Sequence, residues 1–172
     1  MRSVLGVNDV RARVEDLVES LYRNIPSGVG SHRKDFKLSR DEMKKVLARG
    51  ARWAVEEGYG AAEDLQFTED EGRIDSAMPE NVSDRAYERG KDQLGTLGSG
   101  NHFVEIGYVK EVYDEDAARA FGLFESQVTV MIHSGSRGLG YQICDDYIRE
   151  MMKASEKYGV YLPDRQLCCA PV

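Results

Sequence analysis

No apolar run of about eighteen residues interrupts this sequence, and Met1 to Asp9 lack the basic flank and apolar centre of a secretory signal. Neither a membrane span nor export is expected, and the cytosol is the expected compartment. Cysteine is scarce. Cys144, Cys168 and Cys169 form an odd set with two members adjacent, and no C-x-x-C pair offers a structural zinc site. Ordinary reduced thiols are the expectation. An excess of positive charge is missing too: 30 acidic against 23 basic residues give a net charge of -7, the wrong sign for a surface that grips nucleic acid all over. Any nucleic-acid contact must then be local. The clusters Arg33, Lys34, Lys37 and Arg85, Arg89, Lys91 are candidate positions, although such clusters commonly form solvated faces.

What is present suits one folded domain: 172 residues, 41% of them hydrophobic, can bury one domain-sized core. Val14, Leu17, Val18 and Leu21 recur at helical spacing until Pro26, Gly28 and Gly30 stop the pattern. Ser39 followed by Glu42 reads as a capping box. Met43, Val46, Leu47, Ala54 and Val55 then predict one long helix that Gly58 and Gly60 end. Residues 61–81 read as acidic surface turns, and a short helix is expected over 83–90. Alternation after His102 and the β-branched run Val128 to Ile132 predict two strands. A short helix over Asp114 to Phe121, closed by Gly122, is expected between them, and a long final helix over Tyr141 to Tyr158. The fold class expected is α+β, a mixed sheet with flanking helices and no internal repeats.

Two glycine-rich loops stand beside histidine. In the first, Gly95, Gly98 and Gly100 fall within six residues, a concentration that is costly unless backbone has to approach something closely. Gly98 and Gly100 could turn main-chain N–H groups toward a phosphate, with Asn101 adding a side-chain donor. His102 offers an imidazole that Mn, Zn or Fe accepts, and Glu105 a carboxylate able to accept hydrogen bonds from a base or ribose. Asn101 and Glu105 fall on one side under either strand or helical spacing. In the second loop, the buried-strand run ends in His133, followed by Ser134, Gly135, Ser136, Arg137 and Gly138 before a helix, a common construction for a phosphate or metal pocket. Arg137 supplies a planar, permanent charge suited to phosphate oxygens. Neither loop matches a P-loop or G-x-G-x-x-G. Taken one at a time, His133 also fits a strand-end histidine bonded to a carbonyl, and Arg137 a surface ion pair.

The strings Gly95-Thr96-Leu97-Gly98-Ser99-Gly100-Asn101-His102-Phe103-Val104-Glu105 and His133-Ser134-Gly135-Ser136-Arg137-Gly138-Leu139-Gly140 resemble two signature motifs of the RtcB family of RNA ligases. Pro26-Ser27-Gly28-Val29-Gly30, Trp53-Ala54-Val55, Tyr59-Gly60 and Ala120-Phe121-Gly122-Leu123-Phe124 extend the likeness over nearly the whole chain. The resemblance implies a partial RtcB-type fold: a single domain over 1–172, the central portion of a longer ligase. It implies GTP- and Mn(II)-dependent joining of RNA 2′,3′-cyclic phosphate or 3′-phosphate ends to 5′-hydroxyl ends, in tRNA splicing and RNA repair. By matching positions it makes His102 and His133 manganese ligands. Asn101, His102, Phe103, Val104 and Glu105 would line the GTP site, and Arg137 would be a catalytic contact to phosphate. RNA, as tRNA halves or broken ends, is the implied partner, with archease as a possible helper.

The family's Asp-x-x-Cys-Gly-x-Arg motif, its further histidine ligand and the histidine that accepts GMP have no match in this sequence. His32, the one remaining histidine, reads as a surface loop residue. The polypeptide alone is therefore expected to be inactive, since the covalent step lacks its nucleophile. It is also expected to self-associate through uncovered strand edges. Two other readings use the same pocket: a non-catalytic module binding nucleotide or RNA ends, and a metal-dependent phosphoesterase with water as nucleophile.

Overall fold

The computed structural model describes residues 1–33 and 36–171, so Lys34 of the first basic cluster lies outside the described residues. Three strands and seven α-helices occur among them. In chain order these are β1 (Arg2–Gly6), α1 (Val7–Arg11), α2 (Val14–Asn24), α3 (Arg40–Arg49), α4 (Ala51–Glu56), α5 (Asp84–Gly90), β2 (Phe103–Tyr108), α6 (Glu115–Phe121), β3 (Gln127–His133) and α7 (Arg137–Lys157). The class is α+β, as expected. The residues group into two compact units, one of 1–33 and 95–135, the other of 34–94 and 136–172.

The first unit holds a three-stranded sheet in the order β1-β3-β2, antiparallel at both joints. This corrects the expectation of a mixed sheet. A parallel pair needs a crossover, whereas the chain between β2 and β3 simply turns back. Ser126 N donates to Val109 O at 2.7 Å and Val109 N to Gln127 O at 2.9 Å, so β3 re-enters alongside β2. The helix α6 inside that return is capped by Asp114, whose carboxylate accepts from Ala117 N, and closed by Gly122 in the left-handed conformation.

β1 was not anticipated from the sequence. It pairs with β3 through an irregular register in which Arg2 faces Thr129 and Gly6 faces Gln127. The Ser3 hydroxyl bridges the irregularity, donating to Val128 O at 2.7 Å and accepting from Leu5 N at 3.1 Å. Buried Gln127 adds a brace, its amide nitrogen donating to Ser3 O at 2.7 Å and Gly122 O at 3.2 Å.

In the second unit the predicted long helix is broken. Ser39 caps α3 with the capping box read from the sequence, but the helix stops at Gly50, whose φ is +55°, and α4 starts anew. The reason is a close approach of backbones, because a Cβ at Gly50 would stand 2.2 Å from Gly72 O. Trp53 on α4 packs against Phe36 and Tyr59, with ring centroids 6.3 and 6.2 Å away. The expected turn region contains short 3-10 turns, among them Ala62–Phe67 and Pro79–Asn81. α5, capped by Ser83, lies against α7. Gly90 and Gly138 permit this: a Cβ on Gly90 would come within 2.6 Å of the Leu139 Cβ, and one on Gly138 within 2.8 Å of Arg89 O.

Candidate functional site

The β2–β3 ladder runs in unbroken register from Tyr108↔Val128 to Phe103↔His133, so the start of β2 and the end of β3 meet at one end of the sheet. Directly opposed residues share a face. Phe103, Glu105, Met131 and His133 thus stand on one side of the ladder, and all four are exposed. The rings of Phe103 and His133 stack, with centroids 5.3 Å apart and planes within 11°. This contact limits how the His133 imidazole can turn.

His102 stands one residue outside the ladder, and its ring centroid lies 6.3 Å from that of His133. The structure therefore brings together the two imidazoles that the sequence offered as ligands. His102 is half-buried, and its Nδ1 is buried with no hydrogen-bond partner among the described residues. A buried ring nitrogen left unpaired is costly, and a bound cation is one way to relieve it. The donor chemistry suits a divalent transition metal, and the centroid spacing lies within the reach of a site that holds ions about 4 Å apart. Two donors are only part of a ligand set: among the described residues no group of three or more His, Cys, Asp or Glu is placed to hold a metal.

The glycine loop before His102 takes the backbone shape its sequence suggests, with φ of +71° at Gly95, +115° at Gly98 and +73° at Gly100. Asn101 is exposed in the turn that follows. Because the ladder begins at Phe103, strand periodicity does not reach Asn101, and only Glu105 of that pair sits in the sheet. Val104 is half-buried, on the side of the ladder opposite Glu105.

Arg137 opens α7 and belongs to the second unit. Its φ of +52° is unusual for a residue with a side chain, a strain that tends to gather at functional sites. His32 is an exposed loop residue, as read from the sequence.

Sequence reasoning passed over Ser134. Its hydroxyl donates to Leu97 O at 2.7 Å and so joins the second loop to the first. It also gave no role to the Pro26–Gly30 loop, where Gly28 N donates to Gly98 O at 2.7 Å. Both segments lie within the quoted motifs, but nothing in the strings says which atoms meet.

The family model described as tRNA-splicing ligase RtcB matches residues 1–172, the whole chain. The chain belongs to the RtcB family. Among curated relatives, the tRNA-splicing ligase RtcB of Methanocaldococcus jannaschii is 52% identical over 171 residues, which are 99% of this chain and 18% of the relative. That of Archaeoglobus fulgidus is 51% identical over 172 residues, 100% of this chain and 36% of the relative. That of Thermococcus kodakarensis is 50% identical over 171 residues, 99% of this chain and 35% of the relative. The chain thus spans about a third or less of the length of these RtcB relatives. Among the described residues no helix is long and apolar enough to cross a membrane.

Proposed function

We propose that these 172 residues are the central portion of a cytoplasmic, GTP- and Mn(II)-dependent RNA ligase. It joins RNA 2′,3′-cyclic phosphate or 3′-phosphate ends to 5′-hydroxyl ends in tRNA splicing and RNA repair. One observation carries the reading: in a chain of this family, His102 and His133 meet at one end of the β2–β3 ladder, and His102 keeps a buried, unpaired Nδ1.

In this reading His102 and His133 hold Mn(II), and the stretch Asn101 to Glu105, with Phe103 and Val104 between, lines the GTP site. Held by His102 and His133, Mn(II) would supply positive charge beside the phosphoryl oxygens. The chain's own residues take further parts in binding. The left-handed backbones at Gly98 and Gly100 let main-chain amides converge on a phosphate, and Asn101 adds a side-chain donor there. Glu105 accepts hydrogen bonds from the nucleoside. Phe103, stacked on His133, fixes the plane of that imidazole. Arg137 spans two oxygens of the RNA-end phosphate with its guanidinium, a geometry that lysine does not reproduce. RNA ends are the substrate, and archease is a helper on family analogy alone.

Two imidazoles bind Mn(II) weakly. The 172-residue polypeptide by itself is expected to form neither a protein–GMP adduct nor joined product with GTP, Mn(II) and labelled RNA ends; a clear adduct overturns that expectation. The metal assignment is tested by following free Mn(II) by electron paramagnetic resonance as the chain is added. Uptake should weaken at least about tenfold in His102→Ala and in His133→Ala. Equal uptake by the wild type and both variants removes the histidines from the site.

A further inference from the structure

The glycine loop that delivers His102 is held by two other segments, and Leu97 is where they meet. Leu97 N donates to Pro26 O at 2.9 Å, and its carbonyl accepts from the Ser134 hydroxyl at 2.7 Å. One residue later Gly98 O accepts from Gly28 N at 2.7 Å, while the Ser31 hydroxyl closes the Pro26–Ser31 loop on Gly28 O at 2.9 Å. The loop after α2 thus supports the glycine loop on one side, and the residue next to His133 ties it on the other.

That tie matters because of where the ladder ends. Phe103↔His133 is its last pair, so no strand register fixes His102 beyond it. Gly95, Gly98 and Gly100 leave the preceding backbone with unusual conformational freedom, which a single well-placed hydrogen bond restricts. We infer that Ser134 is a positioning residue: by holding Leu97 O it seats the glycine loop so that His102 faces His133, with Pro26 and Gly28 as the support behind. The consequence for metal rests on the ligand assignment proposed above. The seating of the loop does not.

The test uses the uniformly 15N-labelled 172-residue chain, which reports both the backbone amides and the three histidine rings, and Zn(II) alone as a diamagnetic probe. In the metal-free protein, Ser134→Ala should shift the His102 ring signal and speed amide exchange at Leu97 and Gly28 about tenfold, with the thermal unfolding midpoint unchanged. Ser134→Thr, which keeps the hydroxyl, should restore both. On titration, the His102 and His133 nitrogens of the wild type should move together, whereas Ser134→Ala should need about fivefold more Zn(II) to move them. Unaltered metal-free spectra and exchange in Ser134→Ala overturn the positioning role. If Zn(II) moves neither ring in the wild type, the metal reading fails, and the metal-free measurements still decide the role of Ser134.

Discussion

The two compact units differ in the apolar side chains they bury, although both leave large ones exposed, among them Phe67 and Tyr161 in the helical unit. The helical unit buries Phe36, Met43, Trp53, Ala86 and Tyr87 to 8% exposure or less. The sheet unit buries the smaller Ala118 and Val128 but no aromatic ring among its described residues, and leaves Val4 at 92%, Val18 at 60%, and Met131 and Ile132 at 57%. Its α2 helix carries the apolar stripe read from the sequence, yet buries none of it fully. The histidines belong to this second kind of surface. Among the described residues, aromatic core packing lies in the helical unit alone. The other presents its chemistry on a ladder held mainly by backbone hydrogen bonds, where side chains remain free to meet a ligand.

Breaking the helical core should have the largest effect. Trp53→Ala empties the centre of the Phe36–Trp53–Tyr59 cluster and should cost about 4 kcal/mol in chemical denaturation. Gly50→Ala comes next: it combines a positive φ with a clash against Gly72 O, for a loss of about 3 kcal/mol in the same measurement. If either substitution proves neutral, the contrast between the units is wrong.

A smaller effect sharpens the comparison through pH. Asp146 on α7 accepts from the Ser83 hydroxyl at 2.6 Å and the Gln142 amide at 2.8 Å, and those bonds hold its carboxyl below the ordinary value of 3.8. Because the folded value lies under the unfolded one, the stabilising contribution is fully present above the ordinary carboxylate range. It fades as pH falls through that range and the folded value. Urea midpoints at about pH 6 and about pH 3 should therefore differ less in Ser83→Ala than in the wild type. An identical acid-side loss in both proteins would detach Asp146 from the packing of α5 on α7.

The smallest effect on stability belongs to the site. His102→Ala removes an unpaired buried nitrogen, so it should leave the unfolding free energy within about 0.5 kcal/mol of wild type while weakening Mn(II) uptake at least about tenfold. A large stability loss would move His102 from chemistry to structure.

Much of this was legible beforehand. The Ser39–Glu42 box appears as read, with Ser39 N donating to the Glu42 carboxylate at 2.7 Å, and the helix ending at Gly122 closes in the left-handed form. Such signals act over a few residues, where local hydrogen bonds and backbone freedom decide the outcome. The break at Gly50 was hidden because its cause, Gly72, is far along the chain. β1 was hidden because its partner lies more than a hundred residues away and its edge position imposes no apolar alternation. The site divides in the same way. Both histidine-bearing loops stand out as strings, but the Ser134–Leu97 bond spans 37 positions and leaves no mark on either string.

The family, the α+β class and most helix boundaries were readable from residue chemistry and short-range spacing alone, as were the two histidine-bearing loops as candidates for a site. Three-dimensional packing was needed to reveal that the three strands pair antiparallel, that Gly50 splits a helix, and that the His102 and His133 rings lie 6.3 Å apart. Those outcomes depend on which distant backbones come into register, and composition and local periodicity do not specify that pairing.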